Sequence, residues 1–270
     1  MSEITPLIYL GGLDSVEQNF LSKYQVKHVL TLDSESPGIP EIWGVRHKFI
    51  QITDEEDSLL LPLLPELTNW IISNINLQQR TLVHCRHGVS RSASIVIALL
   101  MRTLEKDLNA VLEMVEKKRP GVQPNPGFRK QLELWYLLRY NLNPGNRNYR
   151  LFLLTHNVVE YIQVSRSDSE FGYKCGKCRE VLFYSNDLVP HDDNWWKMLS
   201  EPCSLGLVVL PLVWMKSSEN EPRLNCFKCR NKLGCVGLRS PISCPCSARI
   251  YPGFFVNPSR VDKYKLNQAL

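Results

Sequence analysis

The chain has 270 residues, 44% of them hydrophobic, enough for one large domain or two small ones with filled cores. Its net charge of +5 lies wholly in the C-terminal part: residues 1–142 carry 15 Lys/Arg against 16 Asp/Glu, and residues 143–270 carry 17 against 11. Of nine cysteines only Cys85 precedes Cys175, which excludes a secreted disulfide scaffold and points to metal or catalysis in a reducing compartment.

The opening segment, MSEITPLIYL, has no basic stretch followed by an apolar one, so no signal peptide is expected. Leu7–Leu10, Val26–Leu32 and Val45–Gln51 are predicted strands, followed by a helical stretch from about Leu60 to Ile75. Thr81-Leu82-Val83 reads as a short buried strand that runs into His84-Cys85. Ser92 to Leu104 is apolar on almost every side, as a central helix requires. Leu108–Lys118 and Phe128–Tyr140 follow as helices, with Pro120, Pro124 and Pro126 breaking the chain between them. Strands alternating with helices predict an α/β domain, a central sheet flanked by helices.

Asn143-Pro144-Gly145-Asn146 marks the end of that domain, and Arg147–Glu170 reads as a polar, partly helical connection. From Phe171 onward short β segments are punctuated by cysteines, the pattern of a small β-rich domain stapled by metal. The expected boundaries are 1–142, a linker over 143–170, and 171–270. The longest apolar run, Leu205 to Met215, contains Pro211 and is too short to span a bilayer, so no membrane partner is expected. The positive balance of this half suits an acidic partner such as RNA. Trp195-Trp196 reads as a core pair, with an exposed contact as the alternative.

The most informative stretch is His84-Cys85-Arg86-His87-Gly88-Val89-Ser90-Arg91-Ser92. A strand ends, a cysteine follows, five residues make a tight loop, and an arginine opens a helix. A phosphoryl dianion needs several converging donors. The backbone N–H groups of a loop at a helix N-terminus supply them, so Arg86, His87, Gly88, Val89, Ser90 and Arg91 are the expected phosphate binders. Gly88 lets the backbone curl inward. Arg91 can grip two phosphate oxygens in a fork that Lys cannot copy. The same field favours a thiolate, so Cys85 is the expected nucleophile. Ser92 can donate to that sulfur as it leaves, and His84 orients the loop.

The loop resembles the HCxxGxSRS signature of the dual-specificity protein phosphatases, and the resemblance covers roughly residues 3–142. Ile8-Tyr9-Leu10-Gly11 looks like that family's opening strand. The family's general acid precedes the cysteine by about thirty residues, which implies Asp54, with Asp57 as the alternative. Asn125-Pro126-Gly127-Phe128 resembles the family's Asn-x-Gly-Phe segment, which implies that Asn125 braces the phosphate loop. The resemblance implies hydrolysis of phosphotyrosine and phosphoserine/threonine in phosphoproteins, with no metal needed for catalysis. A lipid or RNA phosphate is a weaker expectation, because only Arg86 adds positive charge to the loop before Arg91.

In the second half Cys175-Gly176-Lys177-Cys178 and Cys226-Phe227-Lys228-Cys229 are metal-knuckle pairs, and Cys244-Pro245-Cys246 is a third close pair. With Cys203, His191 and Cys235 there are nine candidate ligands for two structural four-ligand zinc sites. This half is similar to the zinc-binding domain of a ribosome-assembly-associated branch of the same family, also through Trp214-Met215, Leu233-Gly234 and Arg260-Val261-Asp262. That resemblance implies Cys175, Cys178, His191, Cys203, Cys226, Cys229, Cys244 and Cys246 as ligands. The short segment from Cys178 to Cys203 leaves Cys235 open in place of His191. It further implies binding of large-subunit ribosomal precursors in cytoplasm and nucleus. The essential role is then either catalysis or a non-catalytic binding by the zinc domain.

Overall fold

A computed structural model describes residues 1–40, 43–166, 169–191, 203, 205–218 and 221–266. Trp195 and Trp196 lie outside the described residues. The chain divides into two compact units, Met1–Leu142 and Asn143–Leu270.

The first unit is built on strands β1 (Ser2–Thr5), β2 (Ile8–Gly11), β3 (Val26–Asp33), β4 (Arg46–Gln51) and β5 (Arg80–His84). They form one sheet in the order β1-β2-β5-β3-β4, in which β1 alone runs antiparallel to its neighbour. The helices are α1 (Gln18–Lys23), α2 (Leu64–Asn76), α3 (Arg91–Leu104), α4 (Leu108–Lys118) and α5 (Pro126–Leu137). Parallel strands need crossovers, and α2 provides the one between β4 and β5.

Helix α3 is buried from Arg91 to Met101, because it packs on β5 and is flanked by α2, α4 and α5. Trp135 of α5 is fully buried and donates its indole N–H to the Ala98 carbonyl at 3.3 Å. The N-terminus of α3 is therefore fixed at the carboxyl end of the central strand β5. In parallel sheets this is where loops gather ligands.

The second unit opens with α6 (Arg147–Thr155), capped by the Asn146 side chain, which accepts from the N–H groups of Asn148 and Tyr149. Its Leu151 and Leu154 are buried with Val208, Leu210 and Phe255. Much of the expected 143–170 linker is thus part of the second core. The helical part of that connection is nine residues long, and Leu151, Phe152, Leu153 and Leu154 are all buried in it. Arg150 on the same helix is buried, with Nη1 3.0 Å from Asp187 Oδ1 and Nη2 2.9 Å from the Pro211 carbonyl.

The remaining strands are β6 (Phe171–Cys175), β7 (Val181–Tyr184), β8 (Leu188–Val189), β9 (Leu207–Val209), β10 (Arg223–Asn225), β11 (Lys232–Gly237), β12 (Ile242–Ser243), β13 (Arg249–Ile250), β14 (Gly253–Val256) and β15 (Val261–Lys265). They make antiparallel sheets in the orders β10-β11-β14-β9-β8, β15-β6-β7 and β12-β13. Among the described residues no helix is long and apolar enough to cross a membrane.

Candidate active site and metal clusters

The loop from Cys85 to Ser90 joins β5 to α3. Cys85 is buried at 2% exposure, and its Sγ accepts from the Gly88 N–H at 3.2 Å and the Ser92 hydroxyl at 3.1 Å. Gly88 has φ +70, and a Cβ there would stand 2.5 Å from the Gly11 backbone. Only glycine fits at that point, where the loop presses against the end of β2. The side chains of Arg86 and His87 face solvent, so these two residues offer the loop their backbone.

Arg91 opens α3 with its guanidinium buried. Nη1 donates to Asp33 Oδ1 at 2.7 Å and to the Ile52 carbonyl at 3.3 Å. Its Nε, buried and without a hydrogen-bond partner among the described residues, lies 3.9 Å from Asp54 Oδ2. A buried donor left unpaired is costly, and an oxyanion in the loop would satisfy it.

Asp54 is partly exposed, and its Oδ1 accepts from the Ser90 hydroxyl at 2.6 Å and from Asn125 Nδ2 at 2.9 Å. The Asn125 carboxamide therefore holds Asp54, while its Oδ1 caps α5 by accepting from the Phe128 N–H at 2.8 Å. Its link to the phosphate loop runs through the backbone, from the Asn125 N–H to Ser90 Oγ at 3.0 Å. Gly127 is required for the same packing, since a Cβ would stand 1.9 Å from the Glu56 carbonyl oxygen. Gln131 completes the support by accepting from the N–H groups of Leu60 and Leu61 and donating to the Ser58 carbonyl. Asp57, on the same segment, is exposed.

His84 is fully buried, with Nε2 2.6 Å from Thr31 Oγ1, which itself lies 2.8 Å from His47 Nε2. Burial pushes the His84 imidazole down to about 4, so it is neutral at pH 7. Burial also pushes His47 down. Residue patterns did not reveal Asp33, Thr31 or Arg119, which reach the loop from distant positions. The one available signal for Asp33 was its place at the carboxyl end of a strand beside β5.

Residues 8–137 match the family described as dual specificity phosphatase, catalytic domain. The first unit is thus a dual-specificity phosphatase catalytic domain. The chain is 27% identical to human dual specificity protein phosphatase 12, over 100% of this chain and 90% of that protein. It is 26% identical to tyrosine-protein phosphatase yvh1 of Schizosaccharomyces pombe, over 97% of this chain and 84% of that one. Among solved structures, that of DUSP15 covers 52% of this chain and 92% of its own, with 27% identity and a TM-score of 0.49. By the match of residues 8–137, the chain carries a phosphatase domain of the protein-tyrosine and dual-specificity class.

Among the described residues of the second unit, two groups of side chains are able to hold a metal ion. Cys175, Cys178, Cys226 and Cys229 form one, His191, Cys203, Cys244 and Cys246 the other, each with donor atoms within 4.8 Å of one another. The first group is built from two matching turns. Cys175 and Cys226 each donate their N–H to the carbonyl five residues on, Glu180 and Asn231, at 2.8 Å. Arg179 and Arg230 each donate back to the cysteine carbonyl at 2.9 Å from a left-handed conformation. Such a turn aims both sulfurs of a Cys-x-x-Cys at one point.

Sγ–Sγ separations are 3.7 Å for Cys175–Cys229 and Cys178–Cys226, and 3.9 Å for Cys203–Cys244. A tetrahedral ion bound at about 2.3 Å sets its thiolates about 3.8 Å apart, whereas a disulfide needs about 2.0 Å. The donor set and spacing fit zinc. His191 Nε2 lies 3.2 Å from Cys246 Sγ, so His191 rather than Cys235 joins the second group. Cys235 sits on β11, half-buried, where burial pushes its thiol up.

Proposed function

We propose that the chain hydrolyses phosphotyrosine and phosphoserine/threonine in phosphoproteins through a phosphocysteine at Cys85. The convergence of Ser92 Oγ and the Gly88 N–H on Cys85 Sγ carries this reading, with the Arg91 Nε and Asp54 carboxylate beside one another at the loop.

The Cys85 thiolate attacks phosphorus, the phosphorus–oxygen bond to the substrate breaks, and Asp54 gives its proton to the departing oxygen. Arg91 and the loop N–H groups hold the equatorial oxygens as charge shifts onto them. Water then attacks the phosphocysteine, Asp54 takes back a proton, and the thiolate leaves toward the Ser92 hydroxyl. Side chains and backbone handle every proton and charge, so no metal is needed. Neutral His84 fixes the loop through Thr31 and transfers no proton.

The second unit, in this reading, carries two structural zinc ions, one per ligand group. Each has all four positions filled by protein, so the metal stabilises the fold and does no chemistry. We further propose that this unit binds large-subunit ribosomal precursors in the cytoplasm and nucleus. The family resemblance of residues 171–270 and the charge of residues 143–270, 17 Lys/Arg against 11 Asp/Glu, support that assignment. Mass spectrometry of proteins retained by an Asp54→Ala, Cys85→Ser variant tests the substrate class. Retention of phosphoproteins released by vanadate is expected; retention that does not depend on phosphate contradicts it.

A further inference from the structure

For the N–H groups of a loop to point inward, its carbonyls must point outward, and each needs a donor. Those from Arg86 to Ser90 are all accounted for. The Arg86 carbonyl accepts from the Leu13 N–H at 3.0 Å, Val89 from the Gln123 N–H at 2.9 Å, and Ser90 from the Ser94 N–H at 2.8 Å. The middle two, at the apex of the loop, are taken by one side chain. Arg119 Nη2 donates to the His87 carbonyl at 3.0 Å and Arg119 Nε to the Gly88 carbonyl at 2.9 Å.

We propose that Arg119 is a positioning residue for catalysis, which orients the inward-facing amides of the phosphate loop by gripping its outward carbonyls. The two carbonyls belong to the peptide units that carry the Gly88 and Val89 N–H groups. One of these already reaches Cys85 Sγ, so fixing the carbonyl end fixes the donor end, since the peptide is planar. A guanidinium fork matches two adjacent oxygens in fixed geometry, which a flexible ammonium does not. A cation on the oxygen side also polarises each peptide and strengthens its N–H as a donor. The place of Arg119 at the end of α4 makes this possible. Its own N–H closes the helix on the Val115 carbonyl at 2.8 Å, while its half-buried side chain turns away to the loop. Its remaining nitrogen, Nη1, reaches Ser2 Oγ at 3.4 Å.

The inference rests on the proposed role of the loop as the phosphate site. The experiment compares the full-length protein with Arg119→Ala, Arg119→Lys and Cys85→Ser. It measures kcat/KM on an aryl phosphate, competitive inhibition by inorganic phosphate, and the rates at which iodoacetate and iodoacetamide alkylate Cys85. Iodoacetate is an anion and needs the loop amides, whereas iodoacetamide does not. Arg119→Ala is expected to lower kcat/KM by about 10- to 100-fold. It should also weaken phosphate inhibition about tenfold and lower the iodoacetate-to-iodoacetamide ratio by a similar factor. Arg119→Lys should fall between, because it restores charge without the fork. A merely structural role would lower the melting temperature and leave both anion readouts unchanged well below it. Parental phosphate inhibition and alkylation ratio in both variants overturns the proposal. If Arg119→Ala does not fold, Arg119→Lys alone decides in the same terms. An unsubstituted protein that phosphate does not inhibit would instead refute the phosphate site itself.

Discussion

Arg91 Nη1 donates to Asp33 Oδ1 at 2.7 Å across 58 residues of sequence, with side chains only 8% and 13% exposed. Burial pushes the Asp33 carboxyl up, but the hydrogen bond from Arg91, the Ser34 N–H and the charges of Arg91 and Arg86 outweigh it. The net position is below the ordinary carboxylate value of 3.8. Asp33 thus anchors one edge of the guanidinium and leaves Nε toward the loop.

Asp33→Asn should destabilise the first unit by about 2 kcal/mol, because a largely buried cation loses its counter-charge. Phosphate supplies that charge when it binds, so saturating phosphate should raise the melting temperature of Asp33→Asn more than that of the parent. Equal increments would show that Arg91 does not depend on Asp33. Since the folded carboxyl is the stronger acid, the pair's stabilisation is complete above the unfolded value and lost as pH falls through the folded one. The parent should therefore lose it only below about pH 4.

Asp54→Asn should slow an alkyl phosphate by about 10²- to 10⁴-fold, the usual worth of a positioned acid. An aryl phosphate with a good leaving group needs no proton and should suffer far less. Steady-state kinetics on the two substrates read this directly. A larger loss from Asp57→Asn would move the acid to that residue.

How much of this was legible in the sequence depends on separation along the chain. Cys85, Gly88, Arg91 and Ser92 fall within eight consecutive residues, so strand, turn and helix spacing fixes their geometry. The Asp33–Arg91 pair, the Thr31–His84 contact and the Arg119 brace join residues 58, 53 and 31 apart, and nothing local marks them. Arg119 follows Lys117 and Lys118 and reads as an ordinary basic helix end. Among elements, α4 matches its predicted span, Leu108–Lys118, because its apolar period and Asp107 cap are both plain. Strand β1 and helix α1 were not predicted. Each is short and buries one hydrophobic side chain, Ile4 or Leu21, too little to form a period. The knuckle pairs were legible from spacing, but the assignment of four ligands to each group required the sheets.

His84 is held at about 4 when folded and sits near 6.5 when unfolded. Between these values the unfolded chain binds the extra proton, so stability should fall as pH is lowered from 6.5 to 4, by on the order of 3 kcal/mol. Denaturant midpoints at pH 7 and pH 4.5 should separate more for the parent than for His84→Gln. Identical separations would show that His84 does not titrate in this window.

Metal analysis of protein purified without chelator should give two zinc ions per chain. Zinc removal should unfold residues 143–270 while aryl phosphatase activity persists in the first unit. Cys226→Ser should lose one ion and the association with ribosomal precursors, whereas Cys85→Ser should keep that association and lose turnover. Sedimentation with precursor particles, alongside the aryl-phosphate assay, separates the two functions. The opposite pattern would place binding in the catalytic cleft.

The most direct test of Cys85 as the nucleophile is to quench the reaction with acid during turnover of a substrate labelled in its phosphate. After digestion, the label should lie on the single peptide that contains Cys85, and Cys85→Ser should yield neither the labelled phosphocysteine nor turnover. Label on any other residue, or full turnover by Cys85→Ser, would contradict a phosphocysteine mechanism.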